Sequence, residues 1–234
     1  MNSYTIKLEP IVQLDQDKFY QLCRQNPDIK LESNNRGAII IMSPTGGETG
    51  NRNAEIIADF GIWNRQAKLG KVFDSSTCFR FPNGANRSPD VSWIQQARWD
   101  KLTIDQKEKF PPIVPDFVLE LMSPSDSLKE IREKMEEYRD SGVKLGWLIN
   151  PKKRTVEVYR PGQEKEIKKI LVVYPVKIFY QVLCWICKLF GNGFKVGCWL
   201  LVVCCWLFVV GCLLFVVCCL ICRVRHCPPF KYRY

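Results

Sequence analysis

The first 165 residues alternate between short apolar runs and amphipathic segments, and this alternation predicts an α/β domain. Apolar residues at helical spacing predict helices over residues 15–23, 53–68 and 125–141. Short apolar or β-branched runs predict strands over residues 38–42, 72–81, 90–94, 117–122, 145–149 and 155–159. Gly70 and Gly142 follow the second and third helices, and we expect them to end those helices.

The remaining residues, 166–234, have a different composition. From residue 196 to residue 220 the chain uses only Val, Gly, Cys, Trp, Leu and Phe, the six amino acids whose codons can be written with G and T alone. We infer a G/T-rich DNA tract, which a frameshift would also explain. Residues 196–222 carry no charge and exceed the ~20 residues that span a bilayer. We expect this tail to associate with a membrane or to aggregate.

Charge and cysteine are distributed unevenly between the two parts. The net charge of +10 suggests a nucleic-acid partner, yet residues 1–166 hold 25 Lys and Arg against 24 Asp and Glu. The surplus belongs to the tail and does not indicate a basic DNA-binding face on the core. Ten of the 12 cysteines lie at or beyond residue 184, and no signal peptide is visible. We therefore expect a cytoplasmic core without disulfides.

Two acidic residues, Asp90 and Glu120, lie in predicted strands, where burial of a carboxylate is unfavourable unless it has a partner. Glu120 lies inside the apolar run at residues 117–122, and Asp90 opens another strand directly after Pro89. A buried carboxylate is expensive unless it is paired or binds a metal, and two carboxylates on neighbouring strands suit Mg²⁺. The alternative is a turn residue at Asp90 and a solvent-facing Glu120 on an edge strand.

Lys134 strengthens the first interpretation. It lies three residues after Ile131 and four before Tyr138, which places it on the inward face of the third predicted helix. An inward lysine beside a buried glutamate could orient a metal-activated water or neutralise charge on a phosphate. A buried ion pair, or a lysine that extends to solvent, explains the same pattern.

Glu55, early in the helix predicted over residues 53–68, is a third candidate acid. It could line the same site. It could equally be a glutamate favoured in a first helical turn by the helix dipole.

These residues form a recognisable series. Ser88-Pro89-Asp90-Val91-Ser92, Glu120-Leu-Met-Ser-Pro-Ser-Asp126, Lys134, Tyr138, Gly142-Val143 and Gly146-Trp147-Leu148-Ile149-Asn150-Pro151 together resemble the Uma2 family over roughly residues 10–165. That family is similar to PD-(D/E)xK nucleases, so the resemblance implies a restriction-endonuclease-like core with a mixed central sheet flanked by helices. It also implies that DNA is the partner, that Asp90 and Glu120 bind Mg²⁺ (or Mn²⁺), and that Glu55 is the helical acid of the site.

The chain departs from that pattern twice. The usual lysine of an E-x-K motif would be residue 122, which is Met122 here, so Lys134 resembles a migrated equivalent supported by Tyr138. Family members also close with another strand, which the tail replaces here. A poorly folded or inactive copy is therefore one expectation.

Other functions remain as rivals. A nuclease fold that binds nucleic acid without cutting it, or a membrane-associated protein, would fit the same sequence. Restriction enzymes of this core often act as dimers, so we expect a homodimer, although no dimer face is identified. Cys184-x-x-Cys187 and Cys219-x-x-Cys222 have metal-ligand spacing, but chance explains it in so cysteine-rich a tract. The single histidine, His226, leaves no His-based catalytic group for the core.

Overall fold

The computed structural model describes residues 3–12 and 14–169, which belong to one compact unit. The strands are β1 (Ser3–Ile6), β2 (Leu31–Ser33), β3 (Ile39–Met42), β4 (Gly70–Asp74), β5 (Phe79–Arg80), β6 (Asn86–Arg87), β7 (Val91–Gln95), β8 (Phe117–Leu121), β9 (Leu145–Asn150), β10 (Thr155–Tyr159) and β11 (Glu166–Lys169). The helices are α1 (Gln16–Gln25), α2 (Gly47–Ala67), α3 (Gln96–Trp99), α4 (Ile104–Glu108) and α5 (Leu128–Asp140).

The larger sheet has the order β11-β10-β9-β8-β7-β4 and is mixed, as predicted. Strands β8 and β9 are parallel and are joined through α5, whereas the other neighbouring pairs are antiparallel. Phe117 stacks on Phe60 of α2, while Val118 shares a core with Met135 of α5. Consecutive residues of a strand point to opposite faces, so α2 and α5 cover the two sides of this sheet.

The smaller sheet was not predicted from the sequence. Its order is β1-β3-β2-β6-β5, and all its pairs are antiparallel. It has a core of its own, built on Phe19, Leu31, Ile39 and Cys78. Its strands β2 and β6 carry two charged residues that matter for the site.

The structure confirms several predicted elements and corrects others. The strand predicted over residues 72–81 is wrong as one element, because Asp74 accepts hydrogen bonds from the amide and hydroxyl of Ser76 and turns the chain. The two halves, β4 and β5, then join different sheets. The helix predicted from residue 53 begins at Gly47, and an ion pair between Glu48 and Arg52 supports its added first turn.

Gly70 is required by packing rather than by a helix end. The helix α2 ends at Ala67, before Gly70, and its C-cap residue Lys68 has the left-handed conformation. A Cβ on Gly70 would lie 2.1 Å from the carbonyl oxygen of Ile94 and 2.6 Å from the ring of Trp93. Gly70 therefore allows β4 to approach β7 closely.

A strand does follow β10, despite the expectation that the tail replaces it. Strand β11 pairs antiparallel with β10 and lies just beyond the boundary predicted at residue 165. Within residues 3–12 and 14–169, no helix is long and apolar enough to cross a bilayer. The predicted span at residues 196–222, the two Cys-x-x-Cys pairs and His226 lie outside the described residues.

Candidate functional site

The register of the larger sheet places Asp90 opposite Glu120. Val91 pairs with Leu119 in the antiparallel β7–β8 ladder, so the residue before Val91 faces the residue after Leu119. Side chains directly opposite each other in such a pair have Cβ atoms about 5 Å apart and lie on the same face. Asp90 is held there because its Oδ2 accepts a hydrogen bond of 2.8 Å from the amide of Leu121.

Helix α5 brings Lys134 and Tyr138 to the same carboxylate. The Nζ atom of Lys134 lies 2.9 Å from Oε1 of Glu120, and the hydroxyl of Tyr138 donates to that oxygen at 2.8 Å. A spacing of four residues puts both side chains on one face of the helix. The inward direction predicted for Lys134 is therefore correct.

Glu55 does not reach this cluster. It is exposed on α2, which packs against the opposite face of the larger sheet from α5. Its electrostatic neighbour is Asp59, whose pKa is raised first by burial and then by Glu55. The expectation that Glu55 lines the site is therefore wrong in position.

Glu32 and Arg87, from the smaller sheet, are the charged residues that the sequence did not reveal. Oε1 of Glu32 lies 2.9 Å from Nζ of Lys134 and accepts the amide of Ser88 at 3.0 Å. Its Oε2 accepts a hydrogen bond of 3.1 Å from Arg87, which also pairs with Glu137 of α5. The ammonium of Lys134 is therefore held between two buried carboxylates, one from each sheet.

Burial makes the two strand carboxylates reluctant to ionise. It raises the pKa of Asp90, which the Leu121 amide and Lys134 offset only in part. Burial also raises the pKa of Glu120 to about 7; Lys134 opposes this shift, and Asp90 and Glu32 add to it. Both acids are therefore poised to gain from a nearby cation.

Glu32 and Lys134 behave differently because each has two charged neighbours of opposite sign. Burial disfavours the carboxylate of Glu32, but Lys134 and Arg87 outweigh it and lower its pKa. Burial likewise disfavours the ammonium of Lys134, but Glu120 and Glu32 raise its pKa above the ordinary value. Both groups are therefore charged at neutral pH.

The cluster lies in a cavity of about 950 Å³ whose wall is strongly acidic. Within the part of the chain that the structure describes, nine Asp and Glu residues line it against three Lys and Arg residues, Arg36, Arg87 and Lys134. Such a surface attracts cations and repels a bare phosphate. A bound cation would offset that repulsion.

The donor set fits a divalent ion bound by two carboxylates. Among the described residues, neither Oδ1 of Asp90 nor Oε2 of Glu120 has a hydrogen-bond partner, and both residues line the cavity. The same part of the chain contains no group of three or more His, Cys, Asp or Glu side chains that could hold a metal. Mg²⁺ commonly uses one or two carboxylates and fills its other positions with water and substrate phosphate, so two acids suffice.

Comparison with known proteins assigns the chain to a family. A family model described as "Uma2: Putative restriction endonuclease" matches residues 16–177. The chain belongs to the Uma2 family. One similar solved structure is the crystal structure of a "putative nuclease belonging to DUF820" from Anabaena variabilis. It is 23% identical, has a TM-score of 0.58, and the match covers 73% of this chain and 99% of that one.

No similar sequence is found among curated proteins. The Uma2 family description supports a nuclease function for this chain, and the neighbour at 23% identity shows a shared fold. The catalytic role of each residue in the cluster remains a prediction from its geometry.

Proposed function

We propose that this Uma2 protein hydrolyses phosphodiester bonds of DNA with the help of a divalent cation, Mg²⁺ or Mn²⁺. One observation carries the proposal: the Lys134 ammonium lies 2.9 Å from Glu120, which faces Asp90 across two neighbouring strands. A cation held by two carboxylates would activate a water and stabilise charge on a phosphate, and an ammonium beside it would add a hydrogen-bond donor.

Asp90 and Glu120 would hold the cation through their unpartnered oxygens. When bound, the cation would lower the pKa of a coordinated water and offset negative charge on the phosphate. With every member ionised, the group Asp90, Glu120, Glu32, Lys134 and Arg87 carries one net negative charge, and Glu137 beside Arg87 brings it to two. One divalent ion would therefore balance the cluster.

Lys134 acts as a fixed positive charge and hydrogen-bond donor, not as a base. Its raised pKa keeps the amine protonated at neutral pH. An ammonium has three N–H bonds; in the described structure Lys134 donates to Glu32 and forms an ion pair with Glu120, so at least one N–H bond is left for a phosphate oxygen or the attacking water. Such a donor stabilises charge that develops on the phosphate.

Tyr138 orients Glu120. Its hydroxyl donates to Oε1, the oxygen that Lys134 also contacts. Oε2 is therefore left without a partner in the described structure. Burial, followed by the charge of Glu120, raises the pKa of Tyr138 well above its ordinary value, so the phenol stays a neutral donor.

Plasmid cleavage by the full chain tests the proposal. We expect cleavage with Mg²⁺ and none with chelator, and a loss of at least about 100-fold in rate for Asp90→Asn and Lys134→Met. Glu157→Gln is the matched control, because Glu157 is a buried glutamate paired with Arg132 away from the cavity. Equal cleavage by all four proteins would reject the assignment.

A module that binds DNA without cutting it is the alternative outcome. Salt-dependent binding to a DNA duplex without Mg²⁺-dependent cleavage would favour it. The acidic cavity disfavours it, because binding without a cation depends on phosphate contacts from Lys and Arg.

Two further proposals concern the state of the full chain. We propose that residues 196–222 anchor it to a membrane, which flotation with lipid vesicles tests against pelleting as an aggregate. We also propose a homodimer, which analytical ultracentrifugation in detergent tests.

A further inference from the structure

We propose that Glu32 is a positioning residue that holds the ammonium of Lys134 in place for the proposed hydrolysis. The inference rests on the proposed function, since Lys134 is the group that it positions. Glu32 belongs to β2, in the smaller sheet, whereas Lys134 belongs to α5, which packs on the larger one. Their 2.9 Å contact fastens the helix to both sheets at the site.

Glu32 is held more firmly than the other acids. It is 1% exposed, and both of its oxygens are occupied. Oε1 accepts the Ser88 amide and faces Lys134, while Oε2 accepts from Arg87. Both oxygens of Glu32 already have cationic or amide partners, whereas Asp90 and Glu120 each have one oxygen without a partner in the described structure, so Glu32 differs from them in role.

Lys134 needs the contact with Glu32 because its other partner, Glu120, is also proposed to bind the cation. A lysine side chain loses much rotamer entropy when it is fixed, so one contact holds it poorly. Its second contact, Glu120, is the carboxylate proposed to bind the cation, and a cation there would compete with the ammonium. Glu32 keeps the ammonium in position when Glu120 is engaged.

The position of the lysine in the chain adds to this need. A lysine at residue 122 would project from the end of β8, where strand geometry would fix it. Here Met122 occupies that position, and its sulfur accepts a hydrogen bond of 3.1 Å from Asn150. The amine instead comes from a helix and depends on the acid of another sheet for its placement.

The test uses the full chain in mild detergent, labelled with ¹⁵N at lysine. A buried ammonium held by two carboxylates gives an N–H₃ signal because its protons exchange slowly, and Lys134→Met identifies that signal by its loss. We expect Glu32→Gln to accelerate hydrogen exchange at Lys134 at least about tenfold, whereas Glu157→Gln leaves it unchanged. In plasmid cleavage, Glu32→Gln should lower kcat by about 10–100-fold and leave KM within about twofold.

The outcomes separate positioning from folding and from the function itself. A Glu32→Gln protein with wild-type exchange at Lys134 and wild-type kcat would overturn the proposal. If Glu32→Gln does not fold, Glu32→Asp decides: it keeps the charge that Arg87 requires but withdraws the carboxylate by one methylene. Wild-type exchange and kcat in that variant would also overturn the proposal. If the wild type cleaves nothing yet exchange at Lys134 still depends on Glu32, the proposed function fails while the anchoring stands.

Discussion

The affinity of the site for Mg²⁺ should depend on pH through Glu120. Its pKa is raised to about 7 from an ordinary value of 4.5, mainly by burial, and a cation binds only the carboxylate form. A group with that pKa is about 90% protonated at pH 6 and about 10% protonated at pH 8. Apparent affinity should therefore rise about tenfold between these two pH values and level off above them.

Isothermal titration calorimetry measures this directly on the full chain. At pH 7 the protein should release about half a proton per Mg²⁺, seen as a difference in heat between two buffers of unlike ionisation enthalpy. Glu120→Gln should bind weakly, with little pH dependence, and Glu157→Gln should match the wild type. Equal affinity at pH 6 and pH 8 with no proton release would show that Mg²⁺ binding does not depend on ionisation of Glu120.

Three further results should follow from the structure. Without divalent ions, the free energy of unfolding of the wild type should fall relative to that of Glu120→Gln as pH rises from about 4.5 to about 7, because over this range the folded protein keeps a proton that the unfolded chain has released. Calorimetry against pH checks this, and parallel curves would contradict it. Gly70→Ala should cost at least about 2 kcal/mol in urea unfolding, while Gly47→Ala, in open space at the start of α2, should be neutral or stabilising. In fluorescence anisotropy, DNA binding at the cavity should contribute a logarithmic salt slope below about 3 in magnitude, because only three basic residues among those the structure describes line it. The loss of slope when Lys134→Met is compared with the wild type measures this contribution, and a loss well above one would contradict it.

The parts of the site that lie on strongly patterned elements could be predicted from the sequence. The apolar stripe of α5 fixed which way Lys134 points, because a helix repeats its faces every 3.6 residues. The apolar run that forms β8 is buried at all five positions, so an acid inside it needs an ion-pair partner or a metal.

The other half of the site could not be predicted because its elements are too short to show periodicity. Strand β2 has three residues and β6 has two, and they carry Glu32 and Arg87. Glu32 contacts Lys134 across 102 positions of sequence, a proximity set by the packing of the two sheets. In the sequence, Glu32 appears only as an acid between Leu31 and Ser33. The structure alone shows that this whole strand is buried.

Glu55 shows the opposite error. Its position early in a helix made it a reasonable third acid, yet the choice between a site residue and a solvated first turn depends on which face of the sheet the helix covers. Helix α2 covers the face opposite α5, as the stacking of Phe60 on Phe117 shows. No local pattern in the sequence encodes that choice.

The proposed hydrolysis requires Asp90 and Glu120 to share one divalent cation beside the ammonium of Lys134. Crystals of the protein grown with Mn²⁺ and measured near the manganese absorption edge test it most directly. We predict one anomalous peak within about 2.5 Å of an oxygen of each carboxylate, with Lys134 still in contact with Glu32. An empty cavity at saturating Mn²⁺ would show that Asp90 and Glu120 do not share a cation. A Mn²⁺ peak elsewhere, with the ammonium of Lys134 between Asp90 and Glu120, would show the same.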